Sequence, residues 1–177
     1  MGQYYKPVSL EKKEFLYSHD YKNGLKLMEH SWLDNNFINA VEHLLKRGGK
    51  WYGDSILWAG DYADNEPDSK NNIYGIVDEE GKKIKPSTEK KDNSLRYLKN
   101  LDTKEFVDLK KVPVTELYEG WEWRIHPLPL LTCEGNGRGG GDYRGSSDLV
   151  GKWARNRVII QKSKPRNCKE LIFDLVE

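Results

Sequence analysis

The strongest constraint on this chain is the early position of its clearest helix, "DNNFINAVEHLLKRGGK" from Asp34 to Lys50. Phe37, Val41, Leu44 and Leu45 recur at helical spacing, Asp34 or Asn35 stands where an N-cap belongs, and Lys46-Arg47 precede Gly48-Gly49 at the far end. Most of what surrounds it reads as strand. "QYYKPVSL" opens the chain as a strand in which Pro7 favours a sheet edge or a strand end. "WYGDSILWAGDY", "KEFVDLKKV", "GWEWRIHPLPLLT", "LVGKWARNRVIIQ" and "KELIFDLV" are short, β-branched or aromatic, and partly alternating. An early helix with most strands after it, and no regular βαβ alternation, predicts an α+β fold with a largely antiparallel sheet and one main early helix.

At 177 residues the chain fits one domain spanning 1–177, since two would each be small. Residues 65–93 turn polar and read as a surface excursion within that domain. There "NIYGIVDEEGKKIKPS" predicts a short hairpin turning at Glu79-Glu80-Gly81. Although 32% of residues are charged, six Trp, ten Tyr and four Phe supply the large apolar bodies that disordered chains lack. The aromatics must carry much of the core.

Charge narrows the partners. Lys+Arg of 29 against Asp+Glu of 28 leaves +1, so no global field favours nucleic acid, and any anion site must be local. No apolar run approaches the roughly 20 residues that span a bilayer, so a soluble protein without a membrane partner is expected. Two cysteines and the polar start "MGQYYKPVSLEKKEF" point to reduced thiols in the cytoplasm.

The segment "CEGNGRGGGDYRG", Cys133 to Gly145, holds six of the 16 glycines. Gly135, Gly137 and Gly140 match G-x-G-x-x-G, but Pro127 and Pro129 interrupt the run before it, no helix start follows, and the expected acidic position falls in "ARNRVII". A dinucleotide fingerprint is therefore rejected. Consecutive glycines can instead aim backbone N–H groups into an anion-binding nest formed by Gly137, Gly139 and Gly140. Arg138 and Arg144 would fork onto a phosphate or carboxylate, Asp142 would accept from a ribose hydroxyl or base edge, and Tyr143 completes the loop. The plainer reading is that the glycines only let a long connection turn, with Arg144 paired to Asp142 or Asp148. Trp153, Arg155 and Arg157 would share one strand face by period two and clamp a planar anion, unless the indole simply completes the core.

A second "GDY", in "WAGDYADNEP", presents Asp61 and Asp64. Their spacing suits two carboxylates on one cation, or an acid and a base, and equally suits a turn. His126 leads directly toward the glycine segment and Glu134 lies at its edge, so both join Asp61 and Asp64 as catalytic candidates. No H-E-x-x-H, C-x-x-C or G-x-S-x-G occurs, and no metal site or cofactor is assigned.

Several of these stretches together resemble a bacterial and phage protein family: the opening "MGQYY", "GLKLMEHSWLDNNF", "WAGDYAD", "IHPLPLLTCEGNGRGGGDYRG" and "VGKWARN". The resemblance spans most of the chain. It implies a prokaryotic or phage setting and an intracellular protein in the bacterial host, and brings no reaction, cofactor or catalytic residue with it. Three functions remain in view: binding of a small anionic, nucleotide-like ligand by loop 135–145; hydrolysis of a phosphorylated substrate using Asp61 and Asp64; and inhibition of a host protein by a phage-type accessory protein.

Overall fold

The computed structural model describes residues 3–88, 91–136 and 140–177. In chain order the elements are β1 (Tyr5–Ser9), β2 (Glu14–Phe15), α1 (Leu27–His30), α2 (Asn36–Leu45), β3 (Ile56–Gly60), α3 (Ile73–Glu80), β4 (Lys82–Lys83) and β5 (Tyr97–Asn100). They continue as β6 (Glu105–Asp108), β7 (Thr115–Tyr118), β8 (Trp121–Trp123), α4 (Pro127–Thr132), β9 (Cys133–Glu134), β10 (Val158–Gln161) and β11 (Lys169–Glu170). The fold is α+β, with α2 as its main early helix.

Asn35 starts α2 by accepting the Ile38 N–H at 2.8 Å, which satisfies one of the donors a helix leaves open. Phe37, Ile38, Val41, Leu44 and Leu45 are buried along it. They join an apolar cluster shared by both main sheets, with Tyr5 and Trp58 from one and Leu98, Val107 and Ile160 from the other. The first sheet has the order β4-β2-β1-β3-β9 and the second β10-β5-β6-β11, while β7 and β8 form a separate ribbon. Most pairings are antiparallel; β2–β4, β3–β9 and β6–β11 are parallel.

Pro7 lies inside the first sheet, not at its edge, opposite Trp58 of β3. It is tolerated because β2 pairs only with Val8 and Ser9, and the Pro7 carbonyl still accepts from Leu16 where β2 ends. A residue's N–H and C=O point to the same side of a strand, so the missing donor faces the place where pairing has stopped.

The hairpin expected at Glu79-Glu80-Gly81 is a helix instead. Asn72 caps α3 by accepting the Gly75 N–H, and Val77 is buried with Val8, Phe15, Leu57 and Ala59. Gly81 then bonds back to the Val77 carbonyl as the helix ends, and the chain leaves as edge strand β4. Helical packing of Ile73, Tyr74 and Val77 against the sheet outweighs the local turn signal of Glu-Glu-Gly.

Three expected strands are shorter than they read. "GWEWRIHPLPLLT" is strand over Trp121–Trp123, adds an isolated antiparallel bridge from Ile125 to Trp32, and then becomes α4, where Pro127 supplies a preset first-turn φ and His126 Nδ1 accepts the Leu128 N–H. "LVGKWARNRVIIQ" is strand only from Val158, and "KELIFDLV" only over β11. Conversely, β5 sits in the interior of the second sheet although "YLKN" carries little β signal alone.

Candidate functional site

The two GDY segments meet on Tyr5. A Cβ on Gly60 would stand 2.9 Å from the Tyr5 ring, and one on Gly141 would stand 2.6 Å from its other side. Gly141 also has φ +62°, where side chains are strained. These glycines therefore let two backbone turns close on one aromatic ring. The neighbouring carboxylates secure the turns: Asp61 accepts the Tyr4 N–H and Asp142 accepts the Met28 N–H, each at 2.9 Å. Burial, then the Cys133, Asp142 and Asp61 charges, push the Tyr5 phenol above its ordinary pKa.

Gly145 meets Tyr143 in the same way, since an added Cβ would fall 2.2 Å from the Tyr143 hydroxyl. Gly140 lies against Leu130, Tyr143 and Val150. The expectations for Gly137, Arg138 and Gly139 lie outside the described residues. Arg144 is exposed and, among the described residues, forms no ion pair; Asp142 is spent on Met28. A cavity of about 560 Å³ opens between Gly140 and Val150, but its charged lining among the described residues is Asp148 alone.

The expected strand-face row of Trp153, Arg155 and Arg157 does not form. Residues 150–156 are a series of turns tied to α4, with Gly151 N–H donating to Leu130 and Trp153 N–H to Leu131. Trp153 is fully buried, and its indole N–H donates to Glu105 at 3.2 Å. Arg155 adopts φ +68° and forks onto two carboxylates: Nε and one terminal nitrogen reach Glu134 at 2.6 and 2.9 Å, while both terminal nitrogens reach Glu66. These hydrogen bonds hold the Glu66 carboxyl below its usual pKa. A guanidinium used this way has little left for a ligand. Arg157 separately donates its backbone N–H and its Nε–H to the two oxygens of Asp102.

Asp64 lines a cleft of about 430 Å³ with Glu66, Glu134 and Arg155, whereas Asp61 does not line it. Among the described residues no group of three His, Cys, Asp or Glu side chains is arranged to hold a metal ion. His126 is fully buried: Nδ1 accepts from Leu128, so Nε2 carries the proton and donates to Glu42 at 2.9 Å. Both ring nitrogens serve the core.

A different cavity, of about 480 Å³, gathers several cationic side chains. It lies where the chain leaves α2 and β10, and Lys46, Arg47 and Lys162 face one carboxylate, Asp92. A backbone bridge between Lys46 and Ile160 stitches the two elements into its floor. Among the carbonyls at the end of α2, Glu42 accepts from Lys46 and Leu44 from Trp51, and the C-cap carbonyl of Lys46 accepts from Gly49, which reduces the negative potential of the helix end. Among the described residues, neither Lys46 nor Arg47 forms an ion pair, and Lys162 reaches Asp92 only at 3.9 Å. Asp92 is instead held by Ser94, whose hydroxyl and N–H lower its pKa ahead of the nearby lysines.

In the sequence Lys46-Arg47 read only as a helix stop, because Lys162, which lines the same cavity, lies far away along the chain. No helix among the described residues is long and apolar enough to cross a membrane. Comparisons with family models, curated proteins and solved structures give no match, so function rests on the chemistry of these sites.

Proposed function

We propose that this protein binds a small anionic ligand in the cavity bounded by Lys46, Arg47 and Lys162. The observation that carries this reading is three cations converging on one cavity of about 480 Å³ against a single carboxylate already engaged by Ser94. That volume falls within the roughly 300–1,000 Å³ typical of small-molecule sites. Cations without strong internal partners have hydrogen-bonding capacity left for a phosphate or carboxylate, the condition Arg155 fails.

Calorimetric titration with inorganic pyrophosphate and ribose 5-phosphate tests the reading. Wild type binds at low salt, and Arg47→Ala or Lys46→Ala weakens binding about tenfold, the lower end for a hydrogen bond to a charged group. Added salt weakens it further. Arg144→Ala leaves binding unchanged. Loss on Arg144→Ala with no loss on Arg47→Ala moves the site to the glycine segment and overturns the assignment, as does the absence of binding by wild type.

A further inference from the structure

The cationic residues account for only part of the cavity's lining. Tyr52, Leu95 and Ile160 also contribute, with Gln161 and Ser163 beside them. Tyr52 is 46% exposed; Tyr4, Tyr62 and Trp121 are comparably open, but of these four aromatic side chains only Tyr52 lines the cavity. Its backbone is fixed by the turn that closes α2, where its N–H donates to Gly49 at 3.2 Å. Among the described residues the Tyr52 ring has no aromatic partner and its hydroxyl has no hydrogen bond. A phosphate alone would engage the lysines and arginine and leave an aromatic face, two aliphatic side chains and an amide unused.

From this two-part lining we infer that the ligand is a phosphate carried by a planar aromatic group, of the mononucleotide class, with Tyr52 as the stacking face. The inference rests on the anion-binding reading above and names its ligand class. The phosphate meets Lys46, Arg47 and Lys162, and the flat ring lies against Tyr52 with Leu95 and Ile160 excluding water beneath. Gln161 and Ser163 offer donors and acceptors to the polar edge of a base. Lining of this kind discriminates against a sugar phosphate, which has the charge without the flat apolar body. It also explains why the site does not need a glycine-rich phosphate loop: side-chain charge does the work that backbone N–H groups do there.

The experiment compares AMP, ribose 5-phosphate and inorganic phosphate by calorimetry on wild type, Tyr52→Phe, Tyr52→Leu and Arg47→Ala. Wild type and Tyr52→Phe are expected to bind AMP at least about tenfold more tightly than ribose 5-phosphate, in keeping with aromatic–base stacking. Tyr52→Leu, which keeps apolar bulk and removes the π face, brings AMP down to the ribose 5-phosphate level and leaves ribose 5-phosphate unchanged. Arg47→Ala weakens all phosphates alike. Equal affinities for AMP and ribose 5-phosphate in wild type, or an AMP affinity indifferent to Tyr52→Leu, overturn the aromatic ligand class while the anion reading stands. Failure of every phosphate to bind wild type overturns both. Far-UV circular dichroism and a thermal melt on each variant establish that it is folded; should Tyr52→Leu fail to fold, broadening or shift of the Tyr52 ring resonances of wild type on addition of AMP, and not of ribose 5-phosphate, decides the same point.

Discussion

His30 provides a quantitative test of how the core is wired. Its ring is fully buried, with Nδ1 2.9 Å from the Gly24 carbonyl and Nε2 2.9 Å from the Trp58 indole nitrogen. An indole N–H only donates, so Nε2 is the acceptor and Nδ1–H donates to Gly24. Protonating Nε2 would set two N–H groups against each other inside an apolar shell of Phe37 and Trp58. Burial accordingly lowers the pKa from 6.5 to about 4, against smaller opposing effects of Gly24 and Glu29. Between those values the unfolded chain binds a proton that the folded protein refuses. Stability therefore falls as pH drops from about 6.5 toward 4, by about 2 kcal/mol at pH 5 and about 3 kcal/mol in full.

Urea denaturation of wild type and His30→Asn at pH 7 and pH 5 isolates this contribution from the other titrating groups. The variant is less stable at both values, because it leaves the Trp58 donor in altered surroundings, but its deficit is smaller at pH 5 by about 2 kcal/mol. In wild type, imidazole NMR shifts keep His30 neutral down to pH 5. A deficit independent of pH, or a His30 ring that titrates near 6.5, would refute the buried neutral assignment.

Two further predictions probe the glycines and the double fork. Gly48→Ala, at φ +83° with open space around it, costs only the left-handed backbone penalty of about 1 kcal/mol, while Gly141→Ala costs clearly more because its methyl meets the Tyr5 ring. Equal urea midpoints for the two variants would remove the close-approach argument. Arg155→Met lowers stability by about 1 kcal/mol at pH 7, a modest figure because the pairs are partly solvent-screened. Glu66 is depressed by Arg155, so this stabilisation is present above the ordinary value of 4.5 and disappears as pH falls through the lower folded value. A wild type–variant difference that persists unchanged in acid would contradict the pairing.

How much of this was legible in the residues depended on the range of the interaction. The α2 cap at Asn35, the apolar period from Phe37 to Leu45 and the strand at Ile56–Gly60 are local features, and each appears in the sequence as in the fold. The helix at Ile73–Glu80 was misread as a hairpin because its decisive term, burial of Val77 under β1 and β3, belongs to partners elsewhere in the chain. The glycine segment was visible as an anomaly, but what Gly141 approaches is a tyrosine at position 5, and no local pattern connects them.

Sequence alone determined the α+β class, the early amphipathic helix, the aromatic core and the near-neutral charge that requires any anion site to be local. Each of these depends on composition or on spacing within a few residues. Only the tertiary structure decided which charges are free: it bound Arg155 to Glu66 and Glu134, turned Asp61 and Asp142 into backbone caps, and left Lys46 and Arg47 facing Lys162 across a cavity. The physical reason is that a side chain's hydrogen-bonding capacity is finite, and whether it is spent within the fold or kept for a ligand is set by neighbours that chain folding alone brings together.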